Sequence, residues 1–290
     1  MAGSKGERRM TGVKVNNVLG SLGLGILAIL ITVAIFAPQI APYDPHDTYK
    51  WMERPSSEHL LGTNDVGNDI LSEVIYGTRV SLFIAFTVSI TAIIIGTALG
   101  LIAGYSSGVL GFLIMRIVDI FLTIPRMVLI IVLAAFLTQS IWNLIVIFII
   151  FGWMMTARIV RSEVLTLRSQ YYVDSAKMLG GSDRYIIWRH ILPNVVPLVV
   201  VQFIMEASHV IIAEAGISFL GLGDPVARSW GTIFNYAFEY PNIILSDAWM
   251  WWMLPPGLCI AATVLGLTFV GYALEERLNP KLKTVVGMEA

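Results

Sequence analysis

The chain holds one cysteine in 290 residues, Cys259, which excludes an intrachain disulfide and any zinc site built on several thiolates. It is also poor in charge: Asp, Glu, Lys and Arg make up 13% of the sequence, about half the share in a soluble domain. With 19 basic against 20 acidic residues, no overall positive field is available to hold nucleic acid. No G-x-x-x-x-G-K-[ST] phosphate loop occurs, so the polypeptide does not bind ATP in that manner. There is no low-complexity run and no obvious internal repeat. His46, His59 and His190 lie far apart in different contexts, so no metal site is expected from them.

What fills the sequence is apolar: 56% hydrophobic residues and a mean hydropathy of +0.75 read as a polytopic membrane protein. Apolar runs at about 18–38, 81–103, 119–137, 141–155, 195–218 and 249–273 predict six transmembrane helices, each able to cross a hydrocarbon core of ~30 Å with some tilt. The runs are continuous rather than alternating, which excludes a β-barrel and gives an all-α membrane protein. The first run follows Lys5, Arg8, Arg9 and Lys14 as a signal peptide would. It is longer than a signal h-region and no small-residue cleavage site follows, so it is read as a retained helix.

Orientation follows from the basic residues, because cytoplasmic loops retain Lys and Arg. With the N-terminus inside, cytoplasmic segments hold fifteen of the nineteen: Lys5, Arg8, Arg9, Lys14, Arg116, Arg126, Arg158, Arg161, Arg168, Lys177, Arg184, Arg189, Arg277, Lys281 and Lys283. Only Lys50, Arg54, Arg79 and Arg228 fall outside, so N-in, C-in is expected. The chain then divides into a cytoplasmic N-terminus with first helix (1–38), an external segment (39–80), a core (81–275) carrying a cytoplasmic loop at 156–194, and a cytoplasmic tail (276–290).

The cytoplasmic loop is the most legible segment. Gln170 to Leu179 has helical composition and is followed by the C-cap signal Gly180-Gly181; Ser182 then N-caps a second helix, Asp183 to Leu192, closed by Pro193. The first helix presents the small Ser175 and Ala176 beside Asp174 and Lys177, a surface suited to a partner's groove. The alternative is an ordinary helical hairpin packed on its own helix ends.

Asp174-Ser-Ala-Lys-Met-Leu-Gly180, nine residues, then His190-Ile-Leu-Pro193 resembles the EAA loop of permease subunits in binding-protein-dependent ABC importers, whose pattern is E-A-A-x3-G-x9-I-x-L-P. The sequence departs from it at Asp174, Ser175 and His190, and Arg189 to Asn194 is similar to the dipeptide/oligopeptide/nickel branch. The same branch, in its subunit with an extra N-terminal helix, is resembled by His59-Leu-Leu-Gly-Thr-Asn-Asp-Val-Gly-Asn-Asp69, Gly77-Thr-Arg-Val-Ser-Leu82, Met115-Arg-Ile-Val-Asp119, Glu214-Ala-Gly-Ile-Ser-Phe-Leu-Gly-Leu-Gly223 and Ser229-Trp-Gly231. Asn68, Val226-Ala227 and Tyr272 depart from the usual pattern and leave the solute open.

The resemblance implies the type I ABC importer permease fold and a half-channel in the cytoplasmic membrane, pairing with a homologous permease subunit, two cytoplasmic ATPase subunits and an extracytoplasmic solute-binding protein. It implies no cofactor on this chain, ATP being bound by the partners, and no enzymatic activity of its own. The implied cargo is di- or oligopeptides, with nickel or oligosaccharides as alternatives. Asp174, Ser175, Ala176, Lys177 and Gly180 are the implied coupling residues, and Pro193 sets the exit into the fifth span. A secondary transporter or an intramembrane enzyme are the rivals of a different class; the first would show matching interrupted halves, the second a nucleophile with its base.

Several polar or small residues sit inside the apolar runs. Gly96, Gly100 and Gly104 lie on one helix face and suit close packing. Trp249, Trp251 and Trp252 read as an outer aromatic belt, and Pro255-Pro256-Gly257 as a break or bend near the outer end of the sixth span. In the fifth span Gln202, Glu206 and His209 share one face with Glu214 at its border, and Glu206 and His209 are spaced to pair. This stripe holds helices together, or lines the translocation path with Glu214 at an outer gate, or has a proton-coupled role.

Overall fold

Glycines at four-residue intervals let two helix backbones meet, and that approach organises the bundle. In the third helix, α3 (Ile70–Tyr105), a Cβ on Gly96 would stand 2.6 Å from the Trp153 carbonyl oxygen, one on Gly100 2.7 Å from Val160 Cβ and one on Gly104 2.7 Å from Val164 Cβ. All three neighbours lie on α6 (Ile141–Arg168), so the glycine row serves intrachain packing. The computed structural model describes the backbone of residues 3–106, 108–241 and 243–278, and the side chains of 18–106, 108–241 and 243–275. Lys5, Arg8, Arg9, Lys14 and Arg277, whose side chains the orientation argument uses, lie outside the described side chains, as Lys281 and Lys283 lie outside the described residues.

The described residues are nearly all helical and contain no strand beyond an isolated bridge between Thr63 and Asp69. Around α3 and α6 stand α1 (Gly3–Ile35), the one-turn α2 (Ala37–Ile40), α4 (Val109–Leu122), α5 (Arg126–Phe136), α7 (Tyr171–Met178), α8 (Asp183–Ile186), α9 (Leu192–Ile217), α10 (Trp230–Glu239), α11 (Trp249–Trp252) and α12 (Leu254–Leu278). Five stretches are long and apolar enough to cross a membrane: Val18–Ile35, Ile70–Tyr105, Ile141–Arg168, Asp183–Leu222 and Trp249–Glu275. The bent pair α4 and α5 makes a sixth if counted as one.

That pair corrects the third predicted span. The run at 119–137 is not one helix: α4 and α5 meet at 81° across a short break. Pro125 cannot donate to the carbonyl one turn back and disfavours helical backbone at Ile124, so α4 closes with three-residue turns at Thr123 and Ile124 and α5 starts afresh. α5 alone is about 16 Å long, roughly half a hydrocarbon core.

Prolines elsewhere did the reverse. Pro193 does not close a helix: α8 runs through a π-helical turn (Ile187–Ile191) into α9, with the Leu192 N–H donating five residues back to Ile187. The widened turn places Pro193 in the first turn of α9, where its missing N–H is no loss, and the Asn194 amide donates to the His190 carbonyl at 2.6 Å. Pro255 and Pro256 likewise sit in a first turn, that of α12, and the break expected near them falls at Met253, just before that helix starts. The aromatic belt is also corrected: Trp252 is fully buried against Tyr240 and only Trp249 of the three is exposed.

The second span begins at Ile70 rather than near 81, because Asp69 caps α3 by accepting from the Ser72 N–H at 2.8 Å. The segment before it folds onto itself. His59 clusters with the rings of Tyr43 and Tyr49, which also touch each other, and meets Asp69 Oδ1 at 2.9 Å. Glu73 accepts from Asn64 and is ion-paired with Arg228, whose Nη1 also donates to Asn68 at 2.9 Å. α1 lies along α12, where a Cβ on Gly23 would be 2.6 Å from the Gly266 carbonyl oxygen. α1 is thus a peripheral addition to the bundle.

Candidate functional site

α7 is short and amphipathic for one reason: Val173 is its buried anchor, seated with Val160, Val164, Ile186 and Ile191 in a cluster at one end of the bundle. Asp174, Ser175 and Lys177 are exposed, whereas Ala176 is half-buried and faces that cluster. Ala176 is therefore a contact within the chain rather than part of the outward face. What faces outward is larger and more apolar than expected: Tyr171, Met178 and Leu179 are 91%, 88% and 89% exposed. Large apolar side chains in a segment otherwise polar were the available sequence signal.

The helix ends in a Schellman arrangement. The Gly181 N–H donates to the Ala176 carbonyl and the Gly180 N–H to that of Lys177, both at 3.0 Å, and Gly180 takes a φ of +85°. Nothing lies within 4 Å of where a Gly180 Cβ would be, so the glycine is required by backbone conformation and not by space. The Ser182 hydroxyl then caps α8 by accepting from the Tyr185 N–H. His190 sits between the rings of Tyr172 and Tyr185, 6.1 and 5.5 Å away, tying α7 to the start of the following span. Pro193 is exposed in the first turn of α9.

The four polar residues of α9 separate by environment. Gln202 lines a cleft of about 590 Å³ together with Glu163, Tyr172, Pro193, Pro197 and Glu275. Glu206 is buried, and its carboxylate takes both terminal nitrogens of Arg126, at 2.6 and 3.2 Å. Gly152 on α6 makes room for this pair, since a Cβ there would fall 2.9 Å from Glu206 Oε1. The pairing of Glu206 with His209 is therefore not formed; His209 is exposed. Arg126 is likewise not a loop charge, because the break at Pro125 turns the start of α5 toward the middle of α9. The partner has opposite charge in a neighbouring apolar run, a signal that does not by itself specify which residue it meets.

Glu214 is buried near the other end of α9 and accepts from the Ser218 hydroxyl at 2.7 Å. Past it the helix widens into a second π turn (Ser218–Leu222) and turns at Gly221, φ +75°. The freed carbonyls of Phe219 and Gly221 are taken by the amides of Asn235 and Gln139, at 2.8 and 2.6 Å. Glu214 thus stands where α9, α10 and the loop before α6 converge, apart from the Arg126–Glu206 pair. Arg228, in the loop before α10, lies outside the spans; burial lowers its pKa below the ordinary arginine value.

A family model described as "Binding-protein-dependent transport system inner membrane component" matches residues 96–284 of the chain, and one described as "N-terminal TM domain of oligopeptide transport permease C" matches residues 15–55. The chain is 35% identical over 271 residues to the dipeptide transport system permease protein DppC of Haemophilus influenzae, with 90% of each protein covered. It is 37% identical over 272 residues to the glutathione transport system permease protein GsiD of Pectobacterium atrosepticum, covering 92% of this chain and 88% of the relative. It is 33% identical over 271 residues to the oligopeptide transport system permease protein OppC of Bacillus subtilis, with coverages of 92% and 87%.

Proposed function

Because this chain belongs to the family of inner-membrane components of binding-protein-dependent transport systems, and is a multi-pass permease subunit rather than an enzyme, we propose that it forms half of the translocation path of an ATP-driven importer of di- or oligopeptides. In this reading it pairs with a homologous permease, two cytoplasmic ATPase subunits bind the ATP, and an external binding protein delivers the peptide. The peptide cargo rests on the names of the relatives, which include dipeptide and oligopeptide permeases. The chain lies N-in, C-in, with the 39–80 and 221–248 segments external and α7 in the cytoplasm.

The observation that carries the coupling role is the unburied apolar set on α7: Tyr171 at its start and Met178 and Leu179 at its glycine-capped end have no cover within the described chain. Such side chains are the anchors an ATPase groove would bury. Asp174, Ser175 and Lys177 form the polar rim of this contact, Ala176 and Gly180 hold its shape, and Pro193 lets α9 continue from it. Gln202 faces the path from the open cleft, and Glu214 belongs to the outer gate. Glu206 acts beside the path as the partner of Arg126, and exposed His209 faces the path or the second permease.

The test is uptake of a labelled dipeptide into proteoliposomes holding the chain with its permease, ATPase and binding-protein partners. Uptake should require ATP and both ATPases, and transport by this chain alone would overturn the reading.

A further inference from the structure

Three arginines converge on a cleft that the transport reading does not use. It encloses about 410 Å³ between the end of α3, the start of α4 and the last turns of α6, with Arg116, Arg161 and Arg168 in its lining. This is the end of the bundle that carries α7, since the Tyr105 hydroxyl donates to Asp183 at 2.6 Å. Arg161 and Arg168 are fixed to one wall by bonds to the Ala103 and Tyr105 carbonyls, at 3.4 and 3.0 Å. Arg116 faces them from α4, exposed and stacked 4.9 Å over its own helix's Phe112. The lining contains one acid, Asp119, whose carboxylate is already engaged by Arg158 at 2.5 Å. Among the described lining residues the basic side chains outnumber the acidic one.

Two further features belong to the same place. Gly108 provides no side-chain cap for α4, and Gly108 and Gly111 both line the cleft, so the positive end of that helix's dipole borders it. The flank of this headgroup-sized opening is apolar and exposed, with Phe112 and Leu165 in the lining itself and Leu113 and Ile117 further round α4. A cationic cleft at a helix end running into an apolar flank is the shape of a phosphate with hydrocarbon attached.

We propose that this cleft binds the phosphodiester of an anionic phospholipid, with Arg116 and Arg161 on the phosphate oxygens and the acyl chains along α4. The shared chemistry is a phosphate anion, and the flank favours the lipid as its source over free phosphate. The site does not depend on the identity of the cargo or of the transport partners.

The test uses the full chain in its assembled complex, equilibrated in detergent with equal amounts of phosphatidylglycerol and phosphatidylcholine, and reads retained lipid by native mass spectrometry. Phosphatidylglycerol should be retained selectively, Arg116→Gln should reduce that selectivity about fivefold, and Arg116→Lys should keep most of it. Arg161→Gln should lower it similarly; if loss of its bond to Ala103 prevents assembly, Arg116→Gln alone decides, because that side chain stacks only on its own helix. Equal retention of the two lipids by the wild type, or unchanged selectivity in assembled Arg116→Gln, would overturn the proposal. Displacement of the lipid by millimolar inorganic phosphate would also overturn it, by assigning the cleft to a soluble anion.

Discussion

At the scale of single residues, the structure separates side chains needed for backbone geometry from those needed for charge. Gly180 is of the first kind, with positive φ and open space around it. Gly180→Val forces a β-branched residue into that region at a cost of about 1–2 kcal/mol and distorts the corner that presents Met178 and Leu179. The complex should still assemble, and substrate-stimulated ATP hydrolysis should be lost; full stimulation would remove the corner from coupling. Glu206 is of the second kind. Glu206→Ala leaves the Arg126 guanidinium uncompensated, and with 31% of the Arg126 side chain exposed the loss should sit near the lower end of the range for buried pairs, about 3 kcal/mol. Glu206→Gln keeps an acceptor for Arg126 and should recover much of it. Thermal melts of the purified complex compare them, and a Glu206→Ala complex as stable as the wild type would show that the pair does not hold α5 to α9.

At the scale of elements, the α3–α6 contact is set by three glycines, and its sensitivity follows from which atoms stand opposite them. At Gly100 the neighbours include the Ala157 carbonyl oxygen, 2.8 Å from a Cβ, and backbone cannot yield as a side chain can. Gly100→Val should therefore destabilise by about 1–3 kcal/mol or separate the helices, while Gly25→Ala on α1, with nothing within 4 Å of its Cβ, should melt like the wild type. Equal melting of the two variants would refute the close-contact account. The glycine row, the apolar runs and the corner at Gly180 were legible because each is a local pattern with a single physical meaning. Pro125 and Pro193 were not, because a proline's effect depends on where a turn falls: Pro125 breaks a run, whereas Pro193 occupies a first turn and is tolerated. The partner of Glu206 was hidden for another reason. Arg126 is 80 residues away, and a basic residue at the ragged start of an apolar run reads as a loop charge until the 81° turn is known.

At the scale of the whole molecule, withdrawing Arg126 from the loop count leaves fourteen basic residues on the side expected to be cytoplasmic against four on the other. The bias survives because it never rested on one residue, and the structure gives each side an identity of its own. The 39–80 and 221–248 segments form a single cap, joined through Arg228 to Glu73 and Asn68 and at the surface through Arg54 to Asp247 at 3.6 Å. The opposite end carries α7, its glycine corner and the arginine cleft. If the basic bias sets the orientation, every residue of the cap is on one side and every residue around α7 on the other, without exception. In a Cys259→Ser background, cysteines at exposed Asp65 in the cap and exposed Ser169 beside α7 sample the two ends. A membrane-impermeant maleimide added to intact cells should label position 65 and spare 169, and permeabilisation should expose 169. Asp247, bridged to Arg54 across the cap, supplies an independent outer position that must behave like 65. Labelling of 169 in intact cells would invert the assignment, whereas labelling of 65 without 247 would show that the two outer segments do not share a side and that the cap is not one body.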